Sequence, residues 1–158
     1  IGMVNIGRKV AQIAEAFGMK VCYFSTSGTG HCTEYPCLEL DELLKVSDVV
    51  SIHAPLNEKT KNLIGRNELA MMKPSAYLLN AGRGASIVEA DLAEAVDNGV
   101  IAGAGVDVFV QEPLPEDHPY LNMKHPERMR FSPHIAWASV EARERLVSMM
   151  ADNIAKGW

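Results

Sequence analysis

The chain has 158 residues, 47% of them hydrophobic and 22% charged, with a net charge of −5. That is enough for one domain with a real core, in the balance of an ordinary globular protein. There is no basic stripe, no long apolar run and no signal-peptide pattern, which argues against nucleic acid and membrane as partners and points to the cytoplasm.

In chain order, the opening IGM reads as the tail of a first strand cut by the start of the chain. Ile6, Val10, Ile13, Ala14 and Phe17 recur at helical spacing, and Gly18 is a good C-terminal stop, so residues 6–17 are expected to form a helix with an apolar face. MKVCYF is rich in β-formers and reads as a buried strand, followed by the polar loop STSGTGHCTEYPC. ELDELLKV is a short helix, DVVSIHA a strand, NELAMMK a helix and AYLLNAG a strand ending in small residues. VEADLAEAVDNG is an amphipathic helix closed by Gly99, and IAGAGVDVF is a further strand. A proline-rich loop leads to a last strand, MRFSPH. From Ser139, an N-cap residue, runs a helix in which Val140, Val147 and Ile154 lie seven apart beside Leu146 and Met150, the pattern of one buried stripe. Strands alternate with helices, so the fold class is α/β: a doubly wound parallel sheet with helices on both faces, in one domain spanning 1–158. The strands are continuous apolar runs, as expected where both faces are covered.

Cys22, Cys32 and Cys37 make an odd count, which argues against a disulfide framework. His31, Cys32 and Cys37 lack a fourth ligand at a usual spacing, and no metal is expected.

The opening also carries an incomplete glycine pattern. Gly2 and Gly7 stand where a dinucleotide fingerprint has its first and third glycines, but Val4 replaces the middle one. The free N–H groups of a helix start attract phosphate, so Asn5, Ile6 and Gly7 are candidate pyrophosphate donors. An ordinary strand-to-helix turn reads equally well on these residues. About 20 residues on, where an acidic residue usually holds the adenosine ribose, stand Ser25 and Thr26. With no carboxylate there, and no Arg or Lys in residues 25–33, NAD and NADP both stay open.

The later stretches SIHAPLNEKTKNLI, MKPSAYLLNAGRGASIVEADLAEAV, IAGAGVDVFVQEPLP and SPHIAWAS together resemble the D-2-hydroxyacid dehydrogenase family, most closely its glycerate dehydrogenase and hydroxypyruvate reductase branch. The resemblance covers essentially the whole chain, in order and at the family's separations. It implies a Rossmann-type cofactor domain from a two-domain enzyme whose substrate domain is absent from this chain. Arg83 in NAGRG matches the substrate arginine, Glu112 in QEP the catalytic carboxylate, and His134 in SPH the acid/base. Asp107 matches the acidic residue near the nicotinamide carboxamide. His53, Ala54 and Pro55 match the adenosine wall, with Thr60 just beyond. Ala81 and Gly82 pass beneath the nicotinamide ribose, and Arg83, His134 and Ala136 complete the cofactor surface.

These types suit the chemistry. Reducing a 2-keto acid needs a proton for the carbonyl oxygen, which a His oriented by a carboxylate donates, and a cation for the carboxylate, which a guanidinium grips at two points. The hydride comes from the cofactor. The resemblance thus implies NAD or NADP as cofactor, a small 2-hydroxy or 2-keto acid as substrate, and a homodimer formed through this domain. A second reading is a dinucleotide-sensing binding module without catalysis, of the corepressor type.

Overall fold

A computed structural model describes every residue except Thr29, His31 and Trp158. His31, weighed above with Cys32 and Cys37, lies outside the described residues. Helix α1 (Asn5–Ala16) is followed by α2 (Leu40–Val46), β1 (Val49–Ile52), α3 (Arg66–Met71) and β2 (Tyr77–Asn80). Then come α4 (Glu89–Asp97), β3 (Gly103–Val106), β4 (Met129–Phe131) and α5 (Val140–Ala155). The four strands form one parallel sheet in the order β1-β2-β3-β4. This is the Rossmann-like α/β architecture that the alternation predicts.

The pairing register aligns the strand ends along one edge of the sheet. Ile52 pairs with Asn80, Asn80 with Val106, and Val106 with Phe131. Three strands therefore end level, with β4 level at its own last residue. The segments after them, beginning at His53, Ala81, Asp107 and Ser132, emerge along a single edge. The opening residues extend this edge. Ile1 O accepts from His53 N–H at 2.9 Å, and Gly2 N–H donates to Phe24 O at 2.9 Å. Residues 1–2 thus lie between residues 51–53 and Phe24, as a strand tail would.

The expected strand MKVCYF forms only a single parallel bridge, Tyr23 to Cys37. Its other neighbour is the short opening segment, which offers Gly2 N–H and little more, so no ladder builds.

The main core gathers Leu43 and Leu44 of α2, Leu69 of α3 and Leu92 and Val96 of α4 against Val50, Ile52, Leu78 and Val106. Burial nevertheless alternates along β1 and β2, contrary to the expectation of two equally covered faces: Val49, Tyr77 and Leu79 stay exposed. Helix α1 stands over that second face across a cavity of about 920 Å³. Val10, Ile13, Ala14 and Phe17 line it from the helix, and Val49 and Leu79 from the sheet. The apolar face of α1 therefore points to the sheet but does not seat on it; only Gly7 and Ala11 of this helix are buried. The stripe on α5 departs further from expectation. Val140, Leu146, Val147, Met150 and Ile154 are all exposed, and no residue of α5 is buried among the described residues.

Candidate functional site

The glycine turn is built for close approach. Gly2 has φ +86°, and a Cβ there would lie 2.9 Å from Ala54 N. A Cβ on Gly7 would lie 2.2 Å from Gly2 O, so the helix starts directly against the turn. No side chain caps α1, and its first turn holds no acidic residue. The ladder begins with Arg8 N–H donating to Val4 O at 2.9 Å, which leaves the N–H groups of Asn5, Ile6 and Gly7 without a partner among the described residues, at the positive end of the helix. That arrangement fits a pyrophosphate. Val4 is the residue just before those donors, with φ −105° and ψ −143°, and its side chain is 59% exposed. Val4→Gly should therefore leave stability nearly unchanged and tighten NADH binding, by about tenfold if one methyl contact on the phosphate is relieved. Calorimetry on both chains checks this, and equal affinities would show that Val4 does not touch the phosphate.

Ser25 and Thr26 line a second cavity of about 330 Å³ with Phe24, Glu39 and Lys59. The tract 25–33 lacks a cation, as read above, but the fold brings Lys59 across from the Pro55–Thr60 turn. Thr60 is buried and spends its hydroxyl inside that turn, donating to Pro55 O at 2.6 Å and accepting from Asn57 N–H at 2.8 Å. It shapes the wall rather than facing a ligand. His53 follows β1, bonded to Ser51 Oγ at 2.9 Å. Burial lowers its pKa below the ordinary imidazole value, which favours the neutral ring.

After β2, the Ala81–Gly82–Arg83 turn is held by Asn80, which sequence reasoning passed over. The buried Asn80 side chain accepts from Gly82 N–H at 3.1 Å and donates to Arg83 O at 2.9 Å. Arg83 itself is exposed, and its guanidinium donates to its neighbour's carbonyl, Gly82 O, at 2.7 Å. Its guanidinium keeps donors for an anion.

After β3 comes Asp107, 5% exposed. Expected near the nicotinamide, it is first a tie for the loop that carries His134. Its Oδ1 accepts from Ser132 Oγ at 2.5 Å and Ile135 N–H at 2.9 Å, and its Oδ2 from Ala136 N–H at 2.9 Å. Burial works against its charge, but these three donors outweigh it and hold the pKa below the ordinary carboxylate value. Because the native pKa is depressed, the stabilisation is present above the unfolded value and is lost as pH falls through the native one. Asp107→Asn presents an N–H₂ where one of these N–H groups needs an acceptor. It should cost about 2 kcal/mol, or roughly 4–8 °C in thermal midpoint, with the deficit shrinking below about pH 4. Scanning calorimetry at pH 7 and pH 3 checks both statements.

His134 sits at φ +55°, an uncommon conformation for a residue with a side chain. The loop imposes it: Trp137 Nε1–H donates to His134 O at 2.9 Å, and His134 N–H to Ser132 O at 3.0 Å. The result aims Nδ1 at Glu112 Oε2, 2.7 Å away. Glu112 Oε1 accepts from Phe109 N–H at 2.9 Å. The His134 bond, and then the Phe109 N–H, hold the Glu112 carboxyl below its usual range. With Nδ1 engaged by Glu112, Nε2 is the other ring nitrogen, a donor when the ring carries both protons. The fold thus joins Glu112 and His134, predicted from separate motifs, into one pair. Arg83 is not in contact with the pair; its turn reaches the same edge of the sheet. Among the described residues no three His, Cys, Asp or Glu side chains gather as a metal site.

The model of the D-isomer specific 2-hydroxyacid dehydrogenase, NAD binding domain, matches residues 1–136. A glyoxylate reductase of Aeropyrum pernix is 42% identical over 98% of this chain and 46% of its own length. A hydroxypyruvate reductase of Blautia hydrogenotrophica is 38% identical over 98% of this chain and 48% of its own. Among solved structures, the NADPH-dependent glyoxylate/hydroxypyruvate reductase of Sinorhizobium meliloti, in complex with NADP and malonate, superposes with a TM-score of 0.88. It is 30% identical over 98% of this chain and 47% of its own. The chain spans about half the length of the curated relatives it matches.

Proposed function

This chain belongs to the D-isomer specific 2-hydroxyacid dehydrogenase family, as its NAD binding domain, and on that premise we propose that it serves the nicotinamide-dependent reduction of a small 2-keto acid. Glyoxylate and hydroxypyruvate are the favoured acids, with glycerate the product of the second. The observation that carries the proposal is the 2.7 Å contact of His134 Nδ1 with Glu112 Oε2 at the C-terminal edge of a parallel sheet, where open α/β folds place their ligands.

The residues fit the cofactor. Asn5, Ile6 and Gly7 would hold its pyrophosphate, and Ser25 and Thr26 would face its adenosine ribose. Lys59 offers a cation to a 2′-phosphate, in keeping with NADP as an alternative to NAD. When bound, the nicotinamide supplies the hydride. His134 donates from Nε2 to the carbonyl oxygen, while Glu112 orients the ring and offsets its positive charge. Arg83 binds the acid's carboxylate. The cleft closes against a separate substrate domain that excludes water.

We place the protein in the cytoplasm, in keeping with its three free thiols. No helix of the structure is long and apolar enough to cross a membrane. The exposed stripe of α5 suits a second copy, and a homodimer is expected by sedimentation.

The test is turnover. A protein joining this chain to a substrate domain should oxidise NADH or NADPH with glyoxylate or hydroxypyruvate. No oxidation across a panel of 2-keto acids, with cofactor still bound, would favour a binding module instead.

A further inference from the structure

The proposed chemistry leaves one buried charged cluster unused. Glu89 opens α4 with its side chain 12% exposed, and His118 beside it is 6% exposed. His118 Nδ1 accepts from Tyr120 N–H at 3.2 Å, so the ring proton sits on Nε2. From there it donates to Glu89 Oε2 at 3.0 Å. Glu89 Oε1 accepts from Val110 N–H at 3.0 Å. The rings of Tyr120 and Phe109 flank His118, with centroids 4.8 Å and 6.5 Å away.

The same peptide is held from a second side. A Cβ on Gly84 would lie 2.1 Å from Phe109 C and 2.5 Å from Val110 N, so the Arg83–Gly84 turn rests directly on the Phe109–Val110 peptide. One step further along the loop, Phe109 N–H holds Glu112, and Glu112 holds His134. A continuous path of contacts therefore runs from His118 through Glu89 to the acid–base pair. It passes through the peptide on which the Arg83 turn is seated.

We propose that Glu89, locked by His118, is a positioning residue: it fixes the Phe109–Val110 peptide so that Glu112 stays aimed at His134 and in register with Arg83. This rests on the reading of Glu112 and His134 as the acid–base pair. The alternative is that Glu89 merely complements the positive end of α4, as a first-turn carboxylate does. That role would not reach Glu112.

The experiment uses the 158-residue chain and needs no keto acid, so its failure and the failure of the proposed reaction are distinguishable. Amide exchange is followed at Val110, and the Glu112 and Asp107 carboxyls are titrated by carbon NMR. In Glu89→Ala, Val110 exchange should rise at least about tenfold, the loss of one net hydrogen bond to a charged acceptor. The Glu112 pKa should climb toward the ordinary carboxylate value while that of Asp107, held by other donors, stays put. His118→Ala should move both in the same direction, and His118→Gln, which can donate from the place of Nε2, should largely restore them. If Glu89→Ala does not fold, Glu89→Gln serves: its amide cannot accept from both Val110 and His118, and the same shifts should appear in smaller measure. A Val110 amide still protected, an unmoved Glu112, or Glu112 and Asp107 shifting together would each overturn the proposal.

Discussion

Replacing His134 with Ala should lower kcat for keto-acid reduction about 10³-fold, with NADH affinity changed less than about threefold, in a protein joining this chain to a substrate domain. The size follows from the role. The carbonyl oxygen must receive a proton as the hydride arrives, and in the proposed reaction Nε2 of the protonated His134 ring is its donor. Water replaces it poorly, because it is neither oriented nor held at that place. The cofactor contacts proposed for the opening turn lie on a different strand, which is why affinity should hold. Glu112→Gln should show a smaller loss, since an amide can keep the contact but cannot offset the charge of the protonated ring. The pH dependence has a definite sign. The Glu112 carboxyl is held below its usual range by His134 and the Phe109 N–H. The pair therefore stays intact well into mild acid and comes apart only as pH falls through that lowered value. A His134→Ala protein retaining more than a tenth of the parent kcat would remove the residue from the chemistry.

The second large effect is structural. Gly7→Ala should cost about 3 kcal/mol, the upper range for forcing an atom into a packed site, and lower the thermal midpoint by roughly 6–12 °C. A Cβ at Gly7 would meet Gly2 O at 2.2 Å. Gly2 cannot retreat, because it is pressed against Ala54 and held by its N–H bond to Phe24 O. The helix start must move instead, and with it the three N–H groups proposed to hold the pyrophosphate. Dinucleotide binding should fall below detection. Val4→Gly is the contrast, since that side chain is exposed and its removal forces no atom into a packed site. A Gly7→Ala chain melting within about 2 °C of the parent would show that the turn is looser than its geometry.

The site was legible where a strand end and its following residues form one contiguous word. NAGRG, GVDVF and SPH each name a strand terminus and the group it presents, so the parallel order alone predicts that they share an edge. What escaped was long-range. Asp107 bonds Ser132, Ile135 and Ala136 across 25 to 29 positions. Glu89 reaches Val110 and His118 at similar separations. Nothing periodic marks such pairs, and His118 in a proline-rich loop carries no signal of burial. Lys59 was missed because a search along one loop cannot see a cation delivered by another. The apolar stripe of α5 was expected to be buried and is exposed in this chain, and the apolar face of α1 stands off the sheet. Periodicity says that a face seeks cover but not what covers it, and in this chain neither stripe is seated.

A crystal structure of this chain grown with NADH decides where the dinucleotide lies. The pyrophosphate is expected on the N–H groups of Asn5, Ile6 and Gly7, and the nicotinamide at the edge formed by Ala81, Asp107 and His134, its ring open toward His134 Nε2. A dinucleotide bound elsewhere, or a nicotinamide turned away from His134, would contradict it.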